Sequence, residues 1–177
     1  PQDPFTSLAP TVTCGKQMTA ARSGSRAARA ARARALLTDV GLDASVARSY
    51  PHELSGGMRQ RVAIAAALDS SPRVLIADEP TTALDVTTQR DILLLLTRLR
   101  NERGMTLVLV THDLALARQF GDDVVVMSRG CIVEEGPVDR VLDAPAHDYT
   151  RRLIAAEPRI DGPNPREGRR HGCGTHR

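Results

Sequence analysis

The chain has 177 residues, 41% hydrophobic and 25% charged, which is globular rather than disordered composition. Aromatics make up only 2%, so Leu, Val, Ile and Ala must fill any core, and the net charge of +3 is too small to define a partner class by itself. Three cysteines with no C-x-x-C pair argue against a disulfide framework and for a reducing compartment, and no apolar run approaches the ~20 residues of a membrane span. No signal peptide is legible, and the first residue is Pro1.

Residues 1–25 are rich in Pro, Thr, Ser and Gly and read as loop with at most a short helix. The basic charges Lys16, Arg22, Arg26, Arg29, Arg32 and Arg34 follow one another with no acid between Asp3 and Asp39. "RAARAARARALLTDVG", 26–41, predicts a helix of strong formers stopped by Gly41. Its arginines read as a solvated helical face, because no aromatics are interleaved for base stacking. Residues 42–55 are irregular. A helix resumes at about Gly57 and runs to Leu68, before "SSP" at 70–72.

"RVLIA", 73–77, suits a strand buried on both faces of a parallel sheet. A helix from Val86 to Arg103 follows, closed by Gly104, and "TLVLV", 106–110, is a second strand of the same type. "DLALARQF" predicts a short helix, "DVVVMS", 123–128, a third strand, and "CIVEEG" its hairpin partner. Helices from Pro137 to Leu142 and from Tyr149 to Ala156 complete the order, and the Pro-, Gly- and Arg-rich 158–177 reads as a disordered tail. "HGCGTHR" at its end matches no standard zinc spacing. Strand–helix–strand–helix–strand is α/β logic, and ligands in such sheets bind at the carboxyl ends of the strands.

Chemistry concentrates at those ends. Asp78 and Glu79 close the first strand in "VLIADEP", the pattern by which a P-loop NTPase holds Mg²⁺ and positions water. The pattern alone equally suits two solvated carboxylates in a turn. His112 closes the second strand in "VTHD", where an imidazole can bond a terminal phosphate, although a strand-end histidine alone is more often a structural hydrogen-bonder. "HELSGGMRQR", 52–61, is a small-residue turn opening onto a helix, which brings backbone N–H groups and positive dipole to a phosphate without lysine.

"LSGGMRQR", "LIADEPTTALD" and "LVTHD" occur in this order at close spacing. In combination they resemble the signature, Walker B and D-loop, and switch-histidine motifs of ABC transporter ATPases. "PQDPFTSLAP" is similar to the family's Q-loop, with Gln2 in the glutamine's place. "YPHELSGGMRQR" and "HDYTRRLIAAEPR" are most similar to oligopeptide and dipeptide importers.

The resemblance spans residues 1–160 and implies a partial P-loop NTPase fold: a parallel α/β core, a helical signature subdomain, and the first strands missing. It implies three stretches: 1–72 with the Q-loop, helical subdomain and signature; 73–157 as the α/β core; and the tail. ATP and Mg²⁺ are the implied ligands. Asp78 and Gln2 are then placed on the metal, Glu79 and His112 in catalysis, and Ser55, Gly56, Gly57, Gln2 and Asp85 at the nucleotide of a head-to-tail pair. Implied partners are a second ATPase subunit, two permease subunits and, indirectly, an extracytoplasmic solute-binding protein, with no nucleic acid. The implied place is the cytoplasmic face of the plasma membrane, peripherally.

One departure is large. No G-x-x-x-x-G-K-[ST] occurs, and the sole lysine, Lys16, precedes Gln17. The sequence therefore reads as an N-terminally truncated fragment, expected neither to bind ATP tightly nor to hydrolyse it by itself. Two other readings stay open: a non-hydrolytic half lending its signature loop to a partner, and a soluble ABC ATPase acting on nucleic acid.

Overall fold

The computed structural model describes residues 8–82 and 84–156. Gln2 and the basic tail lie outside the described residues. By contacts the chain divides into two compact units, one ending at His112 and one starting at Asp113.

The first unit begins with α1 (Cys14–Met18) and α2 (Arg26–Asp39). Ser25 caps α2 by accepting the Ala28 N–H. Its end is set by Gly41, whose φ of 71° is open to glycine, while Leu42 N–H reaches back to the Leu37 carbonyl. Two 3₁₀ turns, Ala44–Arg48 and Pro51–Glu53, occupy the stretch read as irregular. Then α3 runs from Gly56 to Leu68, starting one residue earlier than the sequence suggested because Ser55 caps it.

β1 (Val74–Asp78) and β2 (Thr106–Val110) pair in parallel, Asp78 opposite Val110, with α4 (Val86–Arg103) as the crossover. Apolar spacing along α4 buries Ile92, Leu95, Leu96 and Leu99 against Leu36, Leu37, Val62, Ala65 and Leu68. Each fully buried Leu contributes roughly 1.5–3 kcal/mol of transfer free energy, so this helical layer is the main source of stability in the unit.

The sequence reading of two strands buried on both faces is corrected here. Leu75 is buried, and Ala77 and Leu107 pack against the same core, but Val74, Ile76, Val108 and Val110 are 42–65% exposed. Side chains alternate across a strand, and among the described residues of the unit no layer covers the second face.

Asp69, directly after α3, is a second organising point. Its carboxylate accepts from Arg22 Nε and Arg32 Nε, both at 3.0 Å, and the same guanidinium groups cap the Leu68 and Asp69 carbonyls. Cations at a helix C-terminus satisfy its open carbonyls and complement its dipole. Arg103 pairs with Asp39 at 2.5 Å, tying α4 to α2.

The second unit opens with α5 (Leu114–Phe120), capped by Asp113 accepting from Leu116 N–H. β3 (Asp123–Ser128) does not extend a parallel series. It pairs antiparallel with β4 (Cys131–Pro137) in a separate two-stranded sheet, with an irregularity at Val126/Met127. The turn Arg129–Gly130 is tight enough to form the hairpin that "CIVEEG" predicted. α6 (Val138–Asp143) and α7 (Asp148–Ala155) close it around Val126, Val138, Val141 and Leu142. Glu134 accepts from the N–H groups of Ala146 and His147 and so fixes the start of α7.

Candidate functional site

The parallel pairing of β1 and β2 brings their carboxyl ends side by side, and two of the residues singled out in the sequence meet there. His112 Nδ1 lies 2.9 Å from Glu79 Oε1. With the carboxylate ionised, Nδ1 must carry the proton, which leaves Nε2 free to address a second group. The Glu79 backbone is itself part of the sheet edge, since its N–H donates to the Val110 carbonyl at 2.9 Å.

Glu79 is unusual in backbone as well as side chain. Its φ of 43° is in the left-handed region, which a residue with a Cβ adopts only where its surroundings hold it. Two contacts do so. Thr82 N–H donates to the Glu79 carbonyl at 3.2 Å, and Thr82 Oγ1 donates to Glu79 Oε2 at 2.9 Å. Both carboxylate oxygens are therefore engaged. The hydrogen bond from His112, then that from Thr82, hold the Glu79 carboxyl below the usual carboxylate range. Glu79 is about a third exposed and His112 largely exposed, so the pair faces solvent.

Asp78 ends β1 beside this pair and borders a groove between α3 and β1, lined also by Gln60, Ile64, Leu75 and Pro80. Among the described residues no group of three His, Cys, Asp or Glu side chains is assembled to cage a metal. A lone carboxylate is a poor site for Ca²⁺ or Zn²⁺. It does fit Mg²⁺, which keeps its waters and is shared with substrate phosphates.

The second cluster joins the turn 55–57 to the start of α4. Ser55 accepts from Met58 N–H at 3.3 Å, and no hydrogen bond among the described residues engages the N–H of Gly56 or Gly57. Asp85 caps α4, accepting from Thr88 N–H at 2.9 Å and Thr88 Oγ1 at 2.7 Å. Those bonds, the backbone one first, hold its carboxyl below the ordinary range. Gly57 faces this cap closely: a Cβ there would stand 2.7 Å from Thr88 Cγ2. At Gly56 it would stand 3.1 Å from Leu84 Cδ2. Between the clusters, Gln89 Nε2 donates to the Thr81 carbonyl at 3.1 Å.

Sequence reasoning named Glu79, His112, Asp78, Asp85 and Ser55–Gly57 but missed Thr82, Thr88 and Gln89. The doubled threonine after "DEP" was the available signal, since hydroxyls so close to a carboxylate commonly bond it.

Family models match the chain in two places. The ABC transporter model matches residues 1–82, and the oligopeptide/dipeptide transporter C-terminal region matches 133–174. The chain belongs to the ABC transporter ATPase family. The dipeptide transport ATP-binding protein DppD of Escherichia coli is 47% identical over 163 residues, covering 89% of this chain and 50% of that protein. The peptidoglycan transport ATP-binding protein YejF of Agrobacterium fabrum is 49% identical over 169 residues, covering 92% of this chain and 31% of that one. Among solved structures, cbiO1 of Clostridium perfringens, part of an ABC transporter complex, superimposes with a TM-score of 0.71 at 30% identity over 90% of this chain and 63% of that one. The dimeric cassette MJ0796 bound to ADP and Pi gives 0.62 at 37% identity, over 74% of this chain and 59% of that one. This ABC ATPase chain thus spans about a third to a half of the length of these curated relatives.

Proposed function

We propose that this ABC ATPase chain contributes the water-positioning and signature elements of an ATPase that powers import of peptides or similar small solutes. The observation that carries the reading is the Glu79–His112 pair at the carboxyl ends of two parallel strands. Glu79 is the residue that orients the attacking water. Its lowered pKa makes it a weak proton acceptor, so it serves by orienting and polarising water through an ionised carboxylate. His112, bonded to Glu79 through Nδ1, offers Nε2 to the γ-phosphate and so senses that the nucleotide is triphosphate. Asp78 is the residue that would hold Mg²⁺, which neutralises phosphate charge when bound.

Ser55, Gly56 and Gly57 are assigned to the γ-phosphate of ATP held by a second ATPase subunit. Support comes from the N–H groups of Gly56 and Gly57 at the start of α3, which no hydrogen bond among the described residues engages. Asp85 stands at the same edge and is assigned to that subunit interface. Gln2 is assigned, on the motif alone, to the metal and nucleotide. Two permease subunits and an extracytoplasmic solute-binding protein complete the assembly, with this subunit peripheral on the cytoplasmic face. Among the described residues no helix is long and apolar enough to cross a membrane. The phosphate cradle G-x-x-x-x-G-K-[ST] is absent from these 177 residues, so the chain by itself is expected to turn over ATP far below ~1 s⁻¹.

The test is Glu79→Gln in the assembled transporter. ATP turnover is expected to vanish while ATP binding persists, because the amide keeps the shape of the carboxylate and loses its charge. Turnover at the unmodified rate would remove Glu79 from its role.

A further inference from the structure

We infer that the N-terminal half of α2 is a docking surface for anionic phospholipid headgroups. Four arginines are placed together there. Arg22 and Arg32 converge on the same Oδ1 of Asp69, each at 3.0 Å, so their guanidinium groups are neighbours. Arg29 and Arg26 continue the row from Arg32 at steps of three along α2, which puts them on one side of the helix. Among the described residues Asp69 is the one carboxylate that pairs with this row, so four positive charges face a single negative one. No acidic residue occurs from residue 8 to residue 38.

The placement opposes stability. Arg26 and Arg29 sit in the first turns of α2, where the macrodipole is positive and where Asp or Glu would be favoured; no acid is present in that turn. Arginines three apart also repel one another. Every residue from 20 to 31 is exposed, so none of this cost is recovered by packing. A surface frustrated in this way is relieved by an external anion.

The shape selects the anion. Exposed Ala27, Ala28, Ala30 and Ala31 leave the helix end convex and low, with no apolar anchor of the kind that fills a pocket on a folded protein partner. No aromatic lies in the stretch 9–49 to stack bases, as single-stranded nucleic acid requires. A convex cationic ridge fits a plane of acidic headgroups, to which basic residues at the surface bind additively and with strong salt dependence. The inference rests on the peripheral place proposed above for the nearness of a membrane, and on nothing in the catalytic reading.

The experiment is cosedimentation of the full chain with phosphatidylcholine vesicles and with mixed phosphatidylcholine–phosphatidylglycerol vesicles, across a salt series. Binding to the mixed vesicles alone, weakening as salt rises, is expected. Arg26→Gln/Arg29→Gln should lower that affinity roughly thirtyfold, and Arg26→Lys/Arg29→Lys should retain it. Replacing Arg166, Arg169 and Arg170 by Gln separates the basic tail. Should the double Gln variant lose its helical circular dichroism, amide exchange of the unmodified chain decides instead: residues 26–31 are expected to slow with the mixed vesicles only. Equal binding to both vesicles, dependence on the tail arginines alone, unaltered exchange at 26–31, or binding to RNA without binding to vesicles would each overturn the inference.

Discussion

Gly57→Ala separates two opposed effects that the structure lets one weigh. Gly57 lies in the first turn of α3 with an ordinary negative φ, so alanine meets no backbone strain there. On propensity alone the substitution should stabilise by up to about 1 kcal/mol. Against this, the new Cβ would stand 2.7 Å from Thr88 Cγ2. That methyl cannot swing aside. Thr88 is β-branched, and its Oγ1 donates to Asp85 at 2.7 Å, so turning χ1 would break that hydroxyl bond beside the backbone cap of α4. Overpacking of this kind costs about 1–3 kcal/mol. The contact wins, for a net loss of about 1 kcal/mol.

Urea unfolding of the chain reads this out. With a slope of about 2 kcal/mol per molar, the midpoint should fall by about half a molar with the slope unchanged. Thr88→Ser supplies the control, because serine keeps the hydroxyl for Asp85 and lacks Cγ2. In that background Gly57→Ala should be neutral or stabilising, giving a coupling energy of about 1–3 kcal/mol across the double-mutant cycle. A raised midpoint for the single variant, or strict additivity in the cycle, would refute the close approach of α3 and α4 at this point.

Leu96→Ala, at a position 1% exposed between α4 and the helical layer, should cost about 2–5 kcal/mol in the same assay; a loss below about 1 kcal/mol would move Leu96 out of the core. Asp69→Asn leaves two guanidinium groups facing a neutral amide and should cost roughly 1–3 kcal/mol, more of it through half-buried Arg32 than through solvated Arg22. Increasing salt should change that difference little, and its disappearance in high salt would show the network to be a surface one. Asp85 carries a carboxyl held below its ordinary 3.8 by the Thr88 bonds, so the ionised form is favoured by folding. Its contribution is complete above the ordinary value and is lost as pH falls through the lower folded one. Asp85→Asn should therefore flatten the acid limb of stability against pH below about 4, and an unchanged limb would deny the cap its charge.

The parts most legible in the sequence were those with a local physical cause. The run from Val86 to Arg103, closed by Gly104, reads as a helix and forms residue for residue, with Asp85 supplying a cap that the sequence reading did not name. "TLVLV" and "DVVVMS" likewise match β2 and β3. Burial was not legible in the same way. "VLIA", 74–77, is apolar at every position, and such a run says both faces can be covered, whereas coverage depends on what packs there. Here Leu75 is covered and Ile76 is 65% exposed. For the site, motif spacing named Glu79 and His112, but it could not disclose that they touch. That contact needs the parallel register that sets Asp78 beside Val110, 32 positions apart in the chain. Thr82 and Thr88 were missed because a threonine in a turn carries no chemistry until its hydroxyl is seen on a carboxylate.

These threonines bear on how the two clusters are connected. From Glu79 the chain runs through Thr81 and Thr82 to Asp85 and Thr88 with almost no slack: Thr82 bonds the Glu79 carboxylate, Gln89 bonds the Thr81 carbonyl, and Thr88 bonds Asp85 while touching the space above Gly57. A displacement of the first turn of α3 would press on Thr88 and through the capped turn on Thr82, because packed contacts of this closeness transmit strain and do not absorb it. The turn Ser55–Gly57 and Glu79 are thereby linked within one chain through three threonines and a glutamine. On the proposed reading, in which Ser55–Gly57 meet the phosphate of a partner's nucleotide, a pull on that turn is expected to reach Glu79 and its His112 contact in the same chain.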